Sequence, residues 1–223
     1  MRLKTPLIGA LFAICALPAT AATIYDGITF PDGDASFADE VIAYALGDGV
    51  GANYDDPNDV LGAPDYSGPI GSFSLGRPGL SPDNLPDDQF GFVTIKFTDN
   101  SLTTSGDDSA DLFVWEIGGA VESYKVEISV NAVDWIEVAE ITGQPSTIDI
   151  DGVAGVTQGT KYSYVRVTDV PGGVISGNPF AGPDIDAIGA ISSAPPVAAV
   201  PLPASGLLLL AGLGGLALRR RKG

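Results

Sequence analysis

Residues Tyr124-Lys-Val-Glu-Ile-Ser-Val130 and Trp135-Ile-Glu-Val-Ala-Glu-Ile141 carry the pattern that decides the fold. Apolar and polar side chains alternate in both stretches, as expected for strands with one face on a core and one in water. Asn131–Asp134, between them, has the composition of a tight turn. The two stretches therefore predict a β-hairpin.

The same pattern continues on both sides of this hairpin. Val93–Phe97 and Tyr162–Thr168 alternate in the same way, whereas Leu112–Trp115 is continuously apolar, which indicates a strand buried on both faces. Shorter strands are predicted at Val41–Tyr44, Thr147–Ile150 and Ile185–Ile191. The connecting segments are rich in Gly, Pro, Asp and Asn, and no stretch has the periodicity of an amphipathic helix. The fold class is therefore all-β, with a single antiparallel β-sandwich.

A series of short motifs resembles a discoidin-like or galactose-binding-like jelly roll of bacterial surface proteins. The motifs are Phe37-Ala-Asp-Glu-Val-Ile-Ala-Tyr44, Asp56-Pro-Asn-Asp-Val-Leu-Gly-Ala-Pro-Asp65, Ser74-Leu-Gly76, Asp111-Leu-Phe-Val-Trp-Glu116, Val126-Glu-Ile-Ser129 with Asp134-Trp135, Tyr164-Val-Arg-Val-Thr-Asp169 and Pro183-Asp-Ile-Asp-Ala-Ile-Gly-Ala-Ile191. The resemblance implies structural Ca²⁺ and carbohydrate binding. The loops depart from it because their only aromatic candidates for a sugar platform are Tyr54, Tyr66 and Phe73.

The N-terminus has the three parts of a secretory signal peptide. Arg2 and Lys4 precede the apolar run Leu7–Leu17, and the small-x-small pattern Ala19-Thr-Ala21 follows. The apolar run is too short to span a bilayer. We expect a signal peptide over residues 1–21, recognised by the Sec machinery and cleaved by signal peptidase after Ala21 or Ala22.

The C-terminus predicts a membrane stop. Ser205–Leu218 carries no charge, and it ends on the basic residues Arg219, Arg220, Arg221 and Lys222. The positive-inside rule keeps these cations on the cytoplasmic side and leaves the rest of the chain outside. The expected organisation is a β-sandwich over residues 22–191, a linker over 192–199 and a tail over 200–223 with a transmembrane sorting helix.

The tail also resembles a known address signal. Its motif is Val200, Pro201, Leu202, Pro203 and Ala204, followed by the apolar run and the terminal cations. This order is similar to the VPLPA variant of the PEP-CTERM signals of Gram-negative bacteria. The resemblance implies recognition by an exosortase-type membrane protease. It implies an inner-membrane-anchored precursor whose final site is the cell surface or extracellular matrix.

The composition of the middle segment excludes several function classes. Six of the eleven basic residues lie in the two ends, which leaves five against 28 acids and a formal charge of −23. Such a surface repels nucleic acid and attracts cations. The chain has no histidine, and its one cysteine, Cys15, lies in the signal peptide. Catalysis by histidine or thiol, ordinary zinc sites and disulfides are therefore not expected in the mature protein.

Acidic clusters in the loops predict calcium sites, because Ca²⁺ takes six to eight oxygen ligands. The clusters are Asp32/Asp34/Asp39/Glu40, Asp107/Asp108/Asp111 with Glu116, and Asp184/Asp186. The candidate ligands are Asp39, Glu40, Asp107, Asp111, Asp184 and Asp186. The first and third clusters could meet if the first and last strands lie side by side. Asp149-Ile-Asp151-Gly152 is interpreted as a turn only.

Two classes of function fit these patterns. The leading prediction is a non-enzymatic surface or matrix protein that binds an extracellular polysaccharide or a partner surface. The alternatives are a purely structural matrix component and a carbohydrate-active enzyme that uses Asp and Glu alone, for example Asp111 with Glu116 or Glu127 with Glu137. Trp115 and Trp135 are expected in or near the core, and Arg166 is expected to pair with an acid on the neighbouring strand.

Overall fold

The computed structural model describes residues 21–68, 71–77, 90–118, 122–170 and 181–197. Regular structure within these ranges consists of β-strands and two short 3-10 helices, Gly33–Ser36 and Pro57–Val60. The strands are β1 (Thr23–Tyr25), β2 (Ile28–Phe30), β3 (Glu40–Ala45), β4 (Phe73–Ser74), β5 (Phe92–Lys96), β6 (Ser101–Leu102), β7 (Leu112–Ile117), β8 (Ser123–Ser129), β9 (Ile136–Thr142), β10 (Ser146–Ile148), β11 (Tyr164–Asp169), β12 (Asp184–Ala190) and β13 (Ser193–Ala194).

Two antiparallel sheets form a sandwich. The larger sheet has the order β3-β5-β11-β8-β9, and the smaller has the order β10-β7-β12-β4. One hydrophobic core lies between them and takes residues from both sheets, including Val126 and Val165 from the first and Val114 and Ile188 from the second. This arrangement confirms the all-β class and the predicted sandwich.

The alternating pattern of the sequence sets the register of the larger sheet. Val165 lies opposite Ile128 on one side and Ile95 on the other, so all three side chains enter the core. The predicted hairpin of β8 and β9 is confirmed, with Asn131 at its turn. The Asn131 Oδ1 accepts hydrogen bonds from the backbone N–H groups of Val133 and Asp134, each at 2.9 Å. A side chain that caps its own turn in this way favours the reversal.

The smaller sheet is covered on its outer face as well. The hairpin β1–β2 and the following segment place Phe30 and Phe37 against Phe113 of β7 and Ala187 of β12. Phe37 pairs with Gly189, where a methyl group would lie 2.8 Å from a carbon of the Phe37 ring. These contacts explain why β7 is apolar on both faces, as its sequence predicted.

The sequence did not predict the short elements at the margins. The β1–β2 hairpin, β4 and β6 carry too few residues for a periodic pattern. β13 pairs with β6, so the sheet structure continues to Ala194, inside the segment expected as a linker from residue 192. Tyr162 forms an isolated bridge with Leu102, and β11 begins two residues later than predicted.

The predictions about the two ends of the chain lie outside the described residues. These predictions are the sorting motif from Val200 to Ala204, the basic residues from Arg219 to Lys222 and the signal peptide over residues 1–21. Of the signal peptide, only Ala21 is described. Among the helices of the described ranges, none has the length and apolar content for a bilayer span.

Candidate functional sites

Asp111 lies at the start of β7 and is fully buried. Its carboxylate accepts hydrogen bonds from the Ser105 N–H at 2.6 Å and from the Ile150 N–H at 3.0 Å. The Asp151 carboxylate, on the neighbouring loop, accepts from the Gly106 N–H at 2.9 Å and from the Ser105 hydroxyl at 3.0 Å. Both acids therefore join the segment after β6 to the segment after β10.

Asp111, Asp149 and Asp151 form the one group of three acids in the described ranges that brings an oxygen of each within 4.8 Å. Asp111 was a predicted ligand, whereas the sequence reasoning treated Asp149 and Asp151 as a turn. Two acids at alternate positions before a glycine were the missed signal. Asp107 is exposed and bonds to the Ser109 N–H and hydroxyl, so it does not belong to this group.

Asp39 and Glu40 serve local structure. The Asp39 carboxylate accepts hydrogen bonds from the Thr98 N–H at 2.6 Å and the Thr98 hydroxyl at 3.0 Å. Glu40 forms an exposed ion pair with Lys96 at 3.6 Å. The backbone N–H of Ala38 donates to the Ile188 carbonyl, so the first and last strand regions are neighbours, as expected. Their acids nevertheless form no shared group of three within the described ranges.

Asp184 and Asp186 are both buried, but they bind different partners. A register shift between Ile185 and Ala187 makes Asp186 the residue of a β-bulge. The Asp186 Oδ1 accepts from the Tyr66 N–H at 3.1 Å, whereas Asp184 bonds to the Ser74 hydroxyl. Burial raises the pKa of Asp184 to about 6 and that of Asp186 to about 7.

Glu116 lies at the opposite end of β7 from Asp111. Five residues of strand separate them by roughly 16 Å, so they cannot act as a catalytic carboxylate pair. Glu116 is opposite Ile185, and its side chain is 0% exposed. Burial raises its pKa to about 9, and the nearby charges of Glu122 and Asp184 add to the shift.

An open groove of about 740 Å³ lies along the edge of the sandwich, lined by Val41–Tyr44 and Asp55–Asn58. β3 and β4 are the edge strands of their sheets, and the Tyr44 ring meets the Phe73 ring edge-on at 5.9 Å. A bulge between Val41 and Ala43 makes Ile42 the extra residue of β3. Ile42 is exposed, and Tyr44 is 49% exposed. Tyr44 is therefore a half-exposed aromatic ring at the groove, which the loop-based reasoning did not consider as a candidate platform.

The outer face of the larger sheet is built from charged and aromatic side chains. Glu127 and Glu137 face each other across β8 and β9, and Lys125 lies 3.3 Å and 4.0 Å from their carboxylates. Arg166 lies opposite Glu127 of β8, but no ion pair joins them within the described ranges; Arg166 instead stacks on the Trp135 ring at 4.0 Å and donates to the Thr94 hydroxyl. The indole ring of Trp135 attracts the guanidinium group of Arg166, so this group is stabilised without an ion pair to a carboxylate.

Trp115 lies where it was predicted, at the margin of a packed cluster, whereas Trp135 belongs to neither hydrophobic cluster of the described residues. Trp115 is half-buried and contacts the Phe113 ring at 4.5 Å between centroids. Trp135 is half-buried beneath Arg166. Of the loop aromatics considered as a sugar platform, Tyr54 and Phe73 are buried, and Tyr66 is 43% exposed.

Comparison with known proteins adds little to this description. A solved structure named CpGH89CBM32-6, produced by Clostridium perfringens, aligns over 47% of this chain and 71% of its own, at 13% identity and a TM-score of 0.31. CpGH89CBM32-4 from the same organism aligns over 46% and 70%, at 19% identity and a TM-score of 0.29. TM-scores this low carry no argument about family or ligand. No family model and no curated protein matches the chain.

Proposed function

We propose that the protein is a non-enzymatic, exported surface or matrix protein whose β-sandwich binds a glycan in the groove beside β3. The groove with the half-exposed Tyr44 is the observation that carries this proposal. The sandwich fold and the ordered motifs support a discoidin-like or galactose-binding-like module. The predicted signal peptide and C-terminal sorting signal support the location, with signal peptidase and an exosortase-type protease as processing partners.

The groove has the chemistry that a sugar requires. The apolar ring of Tyr44 and the side chain of Ile42 can pack against the C–H face of a pyranose, as aromatic side chains pack on other apolar surfaces. Asp55, Asp56 and Asn58 supply acceptors and donors for sugar hydroxyls. The Asp56 carboxylate accepts from the Asn58 Nδ2 at 2.8 Å, which orients the amide. A few oriented polar groups beside an apolar wall are typical of ligand sites.

The charge of the groove narrows the class of glycan. Burial raises the pKa of Asp59, and the neighbouring charges of Asp56, Asp65 and Asp55 add to the shift. The negative potential of these acids disfavours uronic acids and sulfated sugars. We therefore propose a neutral or amino-substituted polysaccharide as the ligand, and no nucleic acid.

Glycan-array binding of the full chain, purified in detergent, tests the proposal. Tyr44→Ala should reduce binding by at least about tenfold, because a stacked aromatic anchor is a dominant contact in a site of this kind. Tyr66→Ala is the matched control, since Tyr66 is 43% exposed and lies outside the groove lining. Equal loss in both variants, or no binding by the wild type, would favour the purely structural alternative.

Calcium binding by the group of Asp111, Asp149 and Asp151 is the second part of the proposal. Asp111, Asp149 and Asp151 offer converging carboxylates between two loops, and a bound ion would stabilise the fold by mass action. Thermal melting with calcium and with EGTA measures this effect, and Asp151→Asn should diminish it. Intact-mass measurement of the cell-surface protein tests the two predicted processing events independently.

A further inference from the structure

The core of the sandwich contains acidic groups at the end where β7 leaves the smaller sheet. Glu116 lies opposite Ile185, whose side chain is in the core, and directly opposed residues of an antiparallel pair point to the same face. The Glu116 carboxylate is therefore directed between the two sheets. It is 0% exposed, and neither oxygen has a hydrogen bond of normal geometry among the described residues, although the backbone N–H of Asp184 lies near enough to offset part of the rise in its pKa.

The larger sheet places further acids at the same end. Asp169, the last residue of β11, lies opposite Tyr124 of β8, a core residue. Glu122 immediately precedes β8, and its charge raises the pKa values of both Glu116 and Asp169. Glu122 is 3% exposed and Asp169 is 6% exposed. Three buried carboxyl groups from both layers therefore face one region of the core.

Two hydroxyl groups share this region. Tyr124 and Ser146 are close enough for each hydroxyl to affect the other, yet neither has a hydrogen bond of normal geometry within the described ranges. Buried polar groups in folded proteins almost always have partners. The oxygens of Glu116, Tyr124 and Ser146 that lack hydrogen bonds of normal geometry lie in one region, which indicates a binding place for a polar ligand.

Protonation of Glu116 does not supply the missing partner. A protonated carboxyl group is neutral, but its one O–H satisfies at most one acceptor, whereas the second Glu116 oxygen and the Tyr124 and Ser146 hydroxyls also lack hydrogen bonds of normal geometry. A divalent cation satisfies carboxylate and hydroxyl oxygens together and offsets the repulsion among the acids. Oxygen-only donors of this kind suit Ca²⁺ rather than a softer metal.

We propose that Glu116, Glu122 and Asp169 bind one Ca²⁺ ion inside the end of the sandwich, with the Tyr124 and Ser146 hydroxyls beside it. This site is separate from the group of Asp111, Asp149 and Asp151 and from the glycan groove. Without the ion, the three acids do not bring one oxygen each within 4.8 Å. Binding therefore requires rotation of their side chains, which draws the oxygens together around the ion.

Terbium luminescence tests this site in the full chain, because Tb³⁺ replaces Ca²⁺ and is sensitised by a nearby tyrosine. Excitation of the wild type should give Tb³⁺ emission that Ca²⁺ displaces. Glu116→Gln keeps the size of the side chain and removes the charge. We expect it to weaken both ions by at least about tenfold, since affinity follows the number of charged ligands. Asp169→Asn should act in the same direction and serves as the second variant.

Asp151→Asn reports separately on the group of Asp111, Asp149 and Asp151, and the neutral control is Glu40→Gln, because Glu40 is an exposed carboxylate in an ion pair with Lys96. Glu40→Gln should leave the sensitised emission unchanged, and circular dichroism should show native β-structure in every variant that is compared. The inference is overturned if the wild type gives no displaceable emission, if Glu116→Gln and Asp169→Asn bind as tightly as the wild type, or if only Asp151→Asn loses the signal. Glycan binding should not respond to Glu116→Gln in calcium-saturated buffer, so failure of either proposal is distinguishable from failure of the other.

Discussion

Asp111 and Glu116 lie at the two ends of the same strand, β7, and both are fully buried, but their surroundings differ. The Asp111 carboxylate accepts two backbone hydrogen bonds, from the Ser105 and Ile150 N–H groups. The Glu116 carboxylate has no hydrogen bond of normal geometry among the described residues, and it lies near the charges of Glu122 and Asp184 and near the Asp184 backbone N–H.

The difference shows that burial alone does not fix the role of an acid. Backbone N–H groups stabilise a buried carboxylate, so Asp111 joins two loops to the sheet. Desolvation and neighbouring acids destabilise the Glu116 carboxylate, so Glu116 requires a proton or a cation. The carboxylate at one end of β7 is therefore already bonded by backbone N–H groups, whereas the carboxylate at the other end depends on a proton or a ligand.

Replacement of Asp111 should have the largest effect on stability. Asp111→Ala leaves the buried N–H groups of Ser105 and Ile150 without their acceptor, and hydrogen bonds to a charged group contribute about 1.5–3 kcal/mol each. We expect a loss of about 3 kcal/mol or more in the free energy of unfolding, measured by urea denaturation in EDTA. A loss below about 1 kcal/mol would show that these two bonds are dispensable and would remove the contrast with Glu116.

The pH dependence of the ion-free protein should give the next largest effect. Burial raises the pKa of Glu116 from 4.5 to about 9 and the pKa of Asp169 from 3.8 to about 7. At pH values between the ordinary pKa and the raised pKa of each group, the folded protein keeps a proton that the unfolded protein has released. Stability is therefore greatest near pH 4 and falls as pH rises, by up to about 1.4 kcal/mol per pH unit for each group.

Glu116→Gln tests which group causes the fall above pH 7. Among the raised carboxyl groups, Glu116 has a pKa near 9, whereas Asp169, Asp184 and Asp186 have values of about 6 to 7. Urea midpoints in EDTA between pH 7.5 and 9 should fall for the wild type and remain nearly level for the variant. A wild-type midpoint that rises over this interval contradicts the burial-driven shift.

Replacement of Tyr124 should have a smaller effect that depends on calcium. Tyr124→Phe removes a buried hydroxyl without a normal hydrogen bond, so the ion-free protein should change by less than about 1 kcal/mol. With calcium present, the same change should reduce the calcium-induced rise in melting temperature. Equal losses with and without calcium would separate this hydroxyl from the proposed ion.

The exposed ion pair of Glu40 and Lys96 gives a reference value for the free energy that a solvent-exposed carboxylate contributes to folding. Glu40 has neither the backbone hydrogen bonds of Asp111 nor the burial of Glu116. Glu40→Gln should change the free energy of unfolding by less than about 0.5 kcal/mol, because exposed ion pairs contribute little. Urea denaturation at low salt measures this change. A loss comparable to that of Asp111→Ala would mean that the contrast between the ends of β7 does not depend on burial.

The fold was predictable wherever a strand was long enough to show a period. Val93–Phe97 and the hairpin around Asn131 have clear alternation, and their strands agree with the structure within two residues. β4, β6 and β13 have two residues each, which is too few for any period. Their pairing depends on segments far apart in sequence.

The candidate sites were less predictable than the fold. Asp111, Asp184 and Asp186 were predicted as calcium ligands, and all three are buried, but grouping acids by sequence distance joined Asp111 to Glu116. An extended strand carries two residues of one motif to opposite ends of the sandwich. Tyr44 was not considered as a candidate platform, because its exposure depends on the position of β3 at the edge of the sheet, which the sequence does not show.

The sequence by itself determined the all-β class, the strong negative charge of the middle segment and the absence of histidine and thiol chemistry there, because these follow from composition and local periodicity. Only the tertiary structure decided which acids are bonded, which are buried without partners and where an aromatic ring opens to solvent. Those properties depend on contacts between distant segments, and hydrogen bonding and desolvation act through distances in space rather than along the chain.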